Sequence, residues 1–210
     1  MLIRLDYKYS LFYVIINLGC GFMYYHASSV KGLKILEPRV SNHNKPLVYF
    51  SSKRENVLVY LSNAVEKYCK DNNYKHDGIW TKWAAYGFTK EGILEIQEYY
   101  HNATYDTYKG VSGFIYSVKD IDNIEKQQDI PYAFHTDKPV KINDCEYIED
   151  AYEEILKEIK KGNIVIKKYD DFIKEKKDWL YKIIQKEYDE SVNHPEYRYF
   201  LINKFPFIKK

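Results

Sequence analysis

Short β-prone runs and apolar stripes of helical period interleave irregularly along this 210-residue sequence, and that order constrains its fold more than any other feature. Strand-like runs lie at 22–26, 47–51, 79–84, 93–96, 114–118 and 164–166, several of them flanked by glycine. Helical stripes cover 54–72 (Val57, Leu61, Ala64, Val65, Tyr68), 144–162 (Ile148, Ala151, Ile155, Ile159) and 172–188 (Phe172, Trp179, Leu180, Ile183). Ser51 or Ser52 is positioned to cap the first helix, and Gly162 to close the second. Residues 33–36 read as a helical turn ended by Pro38, and Pro195 opens a last short helix. Strands and helices do not alternate strictly. The pattern therefore predicts an α+β fold rather than a doubly wound parallel sheet. No repeat or linker divides the chain, so 23–210 reads as one α+β domain with a helical C-terminal region.

Residues 1–22 read as an N-terminal extension. Their apolar run at 11–23, interrupted by Asn17, is too short to span a bilayer and lacks a clean cleavage site. A start at Met23, an additional element and an export signal all stay open for this segment. Cys20, Cys69 and Cys145 form neither a disulfide framework nor a zinc motif, a pattern that fits a reducing cytoplasm and no bound metal.

Net charge is only +2, from 32 basic and 30 acidic residues, so bulk electrostatics does not call for nucleic acid. The distribution is uneven: residues 119–154 hold eleven acids against four bases, and residues 155–186 hold ten lysines against five acids. Solvated, ion-paired helix faces explain this simply; a polyanion-binding face is the sharper alternative. The 23 tyrosines read mainly as compositional bias carried on solvated faces.

P-loop, GxGxxG and GxSxG signatures do not occur in a convincing context, and the six histidines are scattered. His76-Asp77-Gly78 reads as a turn. Three short segments carry more. Tyr24-Tyr25-His26-Ala27-Ser28 ends a strand in an imidazole and a hydroxyl. Tyr49-Phe50-Ser51 ends another before a helix. Glu146-Tyr147-Ile148 sets a carboxylate ahead of β-prone residues. Each alone also reads blandly, as a strand-end histidine, a core aromatic and a solvated carboxylate.

In this order the three segments resemble the ADP-ribosyltransferase-like superfamily in its His-Tyr-Glu branch, which includes diphtheria toxin and the poly(ADP-ribose) polymerases. The resemblance covers roughly residues 23–148, with Ala27 standing where the family pattern has glycine. It implies a split antiparallel β-core with peripheral helices and NAD as substrate, without a metal. Glu146 would be the catalytic carboxylate, and His26, Ser28, Tyr49 and Ser51 would bind NAD. The implied activity is ADP-ribosyl transfer to a protein or nucleic-acid acceptor, or NAD hydrolysis. Alternatives are a non-catalytic nucleotide- or protein-binding module of the same fold, or an RNA 2′-phosphotransferase-like enzyme using Arg39 and the lysine-rich third.

Overall fold

Alternation of inward and outward side chains builds the main sheet. The computed structural model describes residues 22–40, 45–76 and 83–209; the readings for residues 1–21, for the Asp77-Gly78 turn and for a strand over 79–82 lie outside them. In chain order the first elements are β1 (Met23–Ser28), β2 (Ile35–Leu36), β3 (Arg39–Val40) and β4 (Pro46–Ser51). A 3₁₀ segment, Glu55–Tyr60, then leads into α1 (Ala64–Asp71). The middle of the chain supplies β5 (Tyr86–Phe88), β6 (Leu94–Gln97), α2 (Ala103–Tyr108) and β7 (Gly113–Lys119). It continues with β8 (Glu125–Lys126), β9 (Ala133–Thr136), β10 (Val140–Lys141) and β11 (Asp144–Ile148). The C-terminal part is α3 (Ala151–Lys160), β12 (Ile164–Lys167), α4 (Tyr169–Glu190) and α5 (Pro195–Lys204).

The large sheet runs β11-β7-β1-β4-β9-β8 and is antiparallel, with β3 also paired to β4. A second sheet, β12-β6-β5, contains a parallel pair, β12 on β6. An α+β architecture follows, with mostly antiparallel strands. Between the sheets the 3₁₀ segment buries Asn56, Val57, Leu58 and Val59 in succession. A segment enclosed on every side cannot present a single apolar stripe. For that reason the continuous helix expected over 54–72 is instead broken at Leu61–Asn63. Helices α1, α4 and α5 share a separate apolar cluster containing Phe172, Leu180, Phe200 and Phe205.

Several other sequence expectations are corrected. Residues 35–36 form a strand, not a helical turn, because Leu36 and Ile35 pair with Val140 and Lys141, far along the chain. The helix expected over 144–162 begins only at Ala151. Asp150 caps it, its carboxylate accepting from the backbone N–H groups of Tyr152 and Glu153 at 3.0 and 3.3 Å. Residues 144–148 are free to pair with β7 instead. Trp179 is 48% exposed although its stripe partners Phe172 and Leu180 are buried. The non-helical backbone of Lys176 (φ −130°) shifts the phase of α4 between them. Trp83 and Ala84 precede β5 without forming a strand.

Tyrosine is also core material. Tyr24, Tyr100, Tyr108, Tyr116, Tyr188 and Tyr197 are buried, so part of the tyrosine content packs in the core. Among the described residues no helix is long and apolar enough to cross a membrane.

Candidate functional site

The edge of β4 that faces β1 is only partly paired. At its start, Pro46 and Leu47 pair with β3; at its end, Ser51 pairs with Tyr25 of β1. Between these points the strands part. His26 bridges the gap, its Nδ1 lying 2.9 Å from the backbone oxygen of Tyr49. A carbonyl can only accept, so Nδ1 carries the proton, and Nε2 is the acceptor of the neutral ring.

A cavity of about 640 Å³ opens at this gap. His26, Ser28, Tyr49 and Ser51 all line it, as does Ala27 between them. The small sheet contributes Tyr86 and Phe88, and the 3₁₀ segment contributes Asn56 and Tyr60. Tyr60 and Tyr86 meet edge to face (centroids 6.1 Å apart, planes at 82°) with their hydroxyls hydrogen-bonded at 2.8 Å. Ser51 accepts from the N–H of Lys53 at 3.0 Å, which closes the turn out of β4 but caps no helix. Arg39 reaches the rim.

Two anchors hold the loops around this space. Tyr116, with its ring fully buried, donates to the Val30 carbonyl at 2.7 Å and accepts from the Leu33 N–H at 3.3 Å. It thereby fixes the chain that follows β1. On the opposite wall, beside Ile130 and Pro131, Tyr132 holds a left-handed backbone (φ 61°), uncommon for a bulky residue. Its carbonyl accepts from Ser52 N–H at 3.0 Å, and its ring lies 4.1 Å from Lys53 Nζ.

Glu146 lies outside this cavity. On β11 it pairs with Ile115 of β7, which pairs in turn with Ala27 of β1. It is therefore two strands, about 10 Å, from the cavity-lining strand. Directly opposed residues share a face, so Glu146 stands on the face of Ala27, Ser51 and Tyr49. His26 and Ser28 project from the other face and reach the cavity through the gap.

The Glu146 carboxylate is 50% exposed and is clasped by both arms of Arg54, at 2.8 Å (Nε) and 2.6 Å (Nη2). The same guanidinium reaches Glu154 at 2.9 Å and Glu158 at 3.7 Å. Three carboxylates thus surround one cation beside the cavity-lining 3₁₀ segment. Burial opposes the charge on Glu154, but Lys157 and Arg54 outweigh it and leave the carboxyl below its ordinary range. Glu158 behaves alike, with burial overcome by Lys161, Asn163 and Arg54.

Carboxyls depressed in the folded state stabilise it above the unfolded carboxylate pKa, about 4.3 for Glu. The contribution is lost as pH falls through the lower folded values. The urea midpoint is therefore expected to be flat above pH 5 and to drop on acidification below about 4.3. In a Glu154→Gln/Glu158→Gln double variant that drop should be smaller.

Six of the ten lysines of residues 155–186 are ion-paired. Lys157, Lys161, Lys167, Lys168, Lys174 and Lys186 each face a carboxylate within 3.6 Å or less. Its simplest role is a solvated, ion-paired surface. Among the described residues, no group of three or more His, Cys, Asp or Glu is arranged to hold a metal. Sequence reasoning did not single out Arg54, Asn56, Tyr60, Tyr86, Phe88 or Tyr116 for the site. Only the strand reading over 114–118 and the helical reading from 54 touched any of them. Comparison with protein-family models, with curated proteins and with solved structures returns no match.

Proposed function

We propose that this chain is a nucleotide-binding domain of ADP-ribosyltransferase-like type that takes NAD into the cavity between β1 and β4. The observation that carries this reading is the convergence of His26, Ser28, Tyr49 and Ser51, from two segments of the motif order, on one cavity at a gap in an antiparallel sheet. In this reading the Tyr49 ring stacks on nicotinamide, a contact worth on the order of 1 kcal/mol beyond area burial. The His26 ring accepts from a ribose hydroxyl, and the two serines orient the sugar. Volume agrees, since ligand pockets of this kind run from about 300 to 1,000 Å³.

A second reading is catalysis by the same domain, with Glu146 as the carboxylate. It is favoured by the sheet register, which sets Glu146 on the face of Tyr49 and in the row of Ala27. NAD and water would yield nicotinamide, ADP-ribose and a proton, the carboxylate stabilising positive charge that grows on the ribose as nicotinamide leaves. Transfer to a protein or nucleic-acid acceptor would replace water in the same step. This chemistry requires the Arg54 clasp to open so that Glu146 reaches the cavity.

Incubation of the full chain with NAD separates the readings. Nicotinamide release by the wild type, abolished in Glu146→Gln, supports catalysis. Saturable NAD binding without release supports the binding module. Absence of both removes the proposal. If release occurs, label transfer from NAD to added protein or RNA identifies the acceptor class. Phosphate release from a 2′-phosphorylated RNA, lost in Arg39→Ala, would instead favour the phosphotransferase alternative.

A further inference from the structure

The gap between β1 and β4 carries a charge at one end. Arg39 of β3 stands opposite Leu47 of β4, at the point where β4 begins to lose its partner on this edge. Leu47, Tyr49 and Ser51 alternate onto one face of β4, and directly opposed residues share a face, so Arg39 stands on the face of Tyr49. The two are diagonal neighbours across the strand pair, a separation of about 7–8 Å that a long side chain spans. Arg39 is exposed and lines the cavity.

The described arginines differ in what holds them. Arg54 is clasped by Glu146 and Glu154. Arg198 donates to the Tyr188 carbonyl at 3.0 Å and lies 3.8 Å from the centre of that ring. Among the described residues the Arg39 guanidinium has neither an ion pair nor a hydrogen bond, although Glu37 lines the same cavity. A guanidinium stays charged at every physiological pH, and its parallel N–H groups match two oxygens of one phosphate. In a nucleotide one ribose separates the ring from its phosphate. A ring stacked on Tyr49 therefore sets its phosphate within reach of Arg39.

We propose that Arg39 binds a phosphate of the ligand whose ring stacks on Tyr49, so that the cavity selects phosphorylated nucleotides over nucleosides. This inference rests on the nucleotide-binding reading above and deepens it: for NAD the group held is the pyrophosphate. A 2′-phosphorylated RNA offers similar chemistry, but a polymer asks for a track of basic side chains, and no lysine lines this cavity.

The test is calorimetric titration of the full chain with nicotinamide mononucleotide and nicotinamide riboside, which differ by one phosphate. The wild type should prefer the mononucleotide by about tenfold or more. In Arg39→Gln that preference should vanish, with the riboside affinity and the thermal midpoint unchanged, because the side chain is exposed and holds no partner in the fold. Equal binding of the two probes by the wild type overturns the inference, as does a preference unchanged in Arg39→Gln. If neither probe binds, NAD itself decides. Affinity for NAD about tenfold weaker in Arg39→Gln supports the inference. Equal affinity in both proteins overturns the role of Arg39 and leaves the nucleotide reading standing; if NAD does not bind the wild type, that reading falls too. Equal NAD affinity together with loss of phosphate release from 2′-phosphorylated RNA in Arg39→Gln would overturn the inference and assign the arginine to RNA.

Discussion

Arg54→Met is expected to lower the stability of the fold by roughly 2–3 kcal/mol, read as a shift in urea midpoint at unchanged slope. Arg54 is 24% exposed, and its partners Glu154 and Glu158 are 15% and 5% exposed. Removing the guanidinium leaves two poorly hydrated carboxylates close together, supported by Lys157, Lys161 and Asn163. The expected loss is set somewhat below the range for a fully buried pair because water still reaches part of the cluster. Glu146→Gln should be nearly silent by comparison, under about 1 kcal/mol, since Glu146 is half exposed on an edge strand. Arg54→Lys should recover only part of the loss, because an ammonium keeps the charge but not the two-armed contact. Equal losses for Arg54→Met and Glu146→Gln would place the energy of the cluster in the exposed pair rather than in the buried carboxylates.

Leu58→Ala is expected to cost roughly 3 kcal/mol. Leu58 is fully buried in the 3₁₀ segment and packs in the cluster that contains Ala27, Leu61, Ile115 and Ile155. The segment joins the large sheet to the small one and to α3, so its deletion is felt by every wall near Asn56 and Tyr60. A chemical melt gives the stability loss. A weaker NAD affinity in the still-folded variant would follow if the segment also fixes the cavity. An exposed control such as Val192→Ala, at a position 67% exposed, should change stability by less than about 0.5 kcal/mol.

Legibility in the sequence followed the range of the interactions involved. β1, β4, β7 and β12 were readable because short apolar runs end at polar or glycine punctuation, and α5 because Pro195 opens it. The two-residue strands β2 and β10 were not, since each exists only through the other, more than a hundred positions away, as Leu36 does with Val140. β11 was hidden for a different reason. Ile148 extends the stripe of α3 backwards at helical spacing, and only the Asp150 cap separates the two elements. The pairing of β8 and β9, which supplies the far side of β4, had no apolar signature at all: β8 is Glu125–Lys126, exposed throughout.

For the site, motif order brought out His26, Ser28, Tyr49 and Ser51, and these share the cavity. Glu146 was chosen by the same order, yet its immediate partner is Arg54, 92 residues earlier. Nothing local in either segment announces that contact.

In the proposed function the gap between β1 and β4 binds NAD with Tyr49 as its stacking platform. Calorimetric titration of the full chain and of Tyr49→Ala with NAD tests it most directly. Saturable one-to-one binding by the wild type is expected, weakened about tenfold in Tyr49→Ala with the fold intact by circular dichroism. Absence of saturable binding, or the same affinity in both proteins, would contradict it.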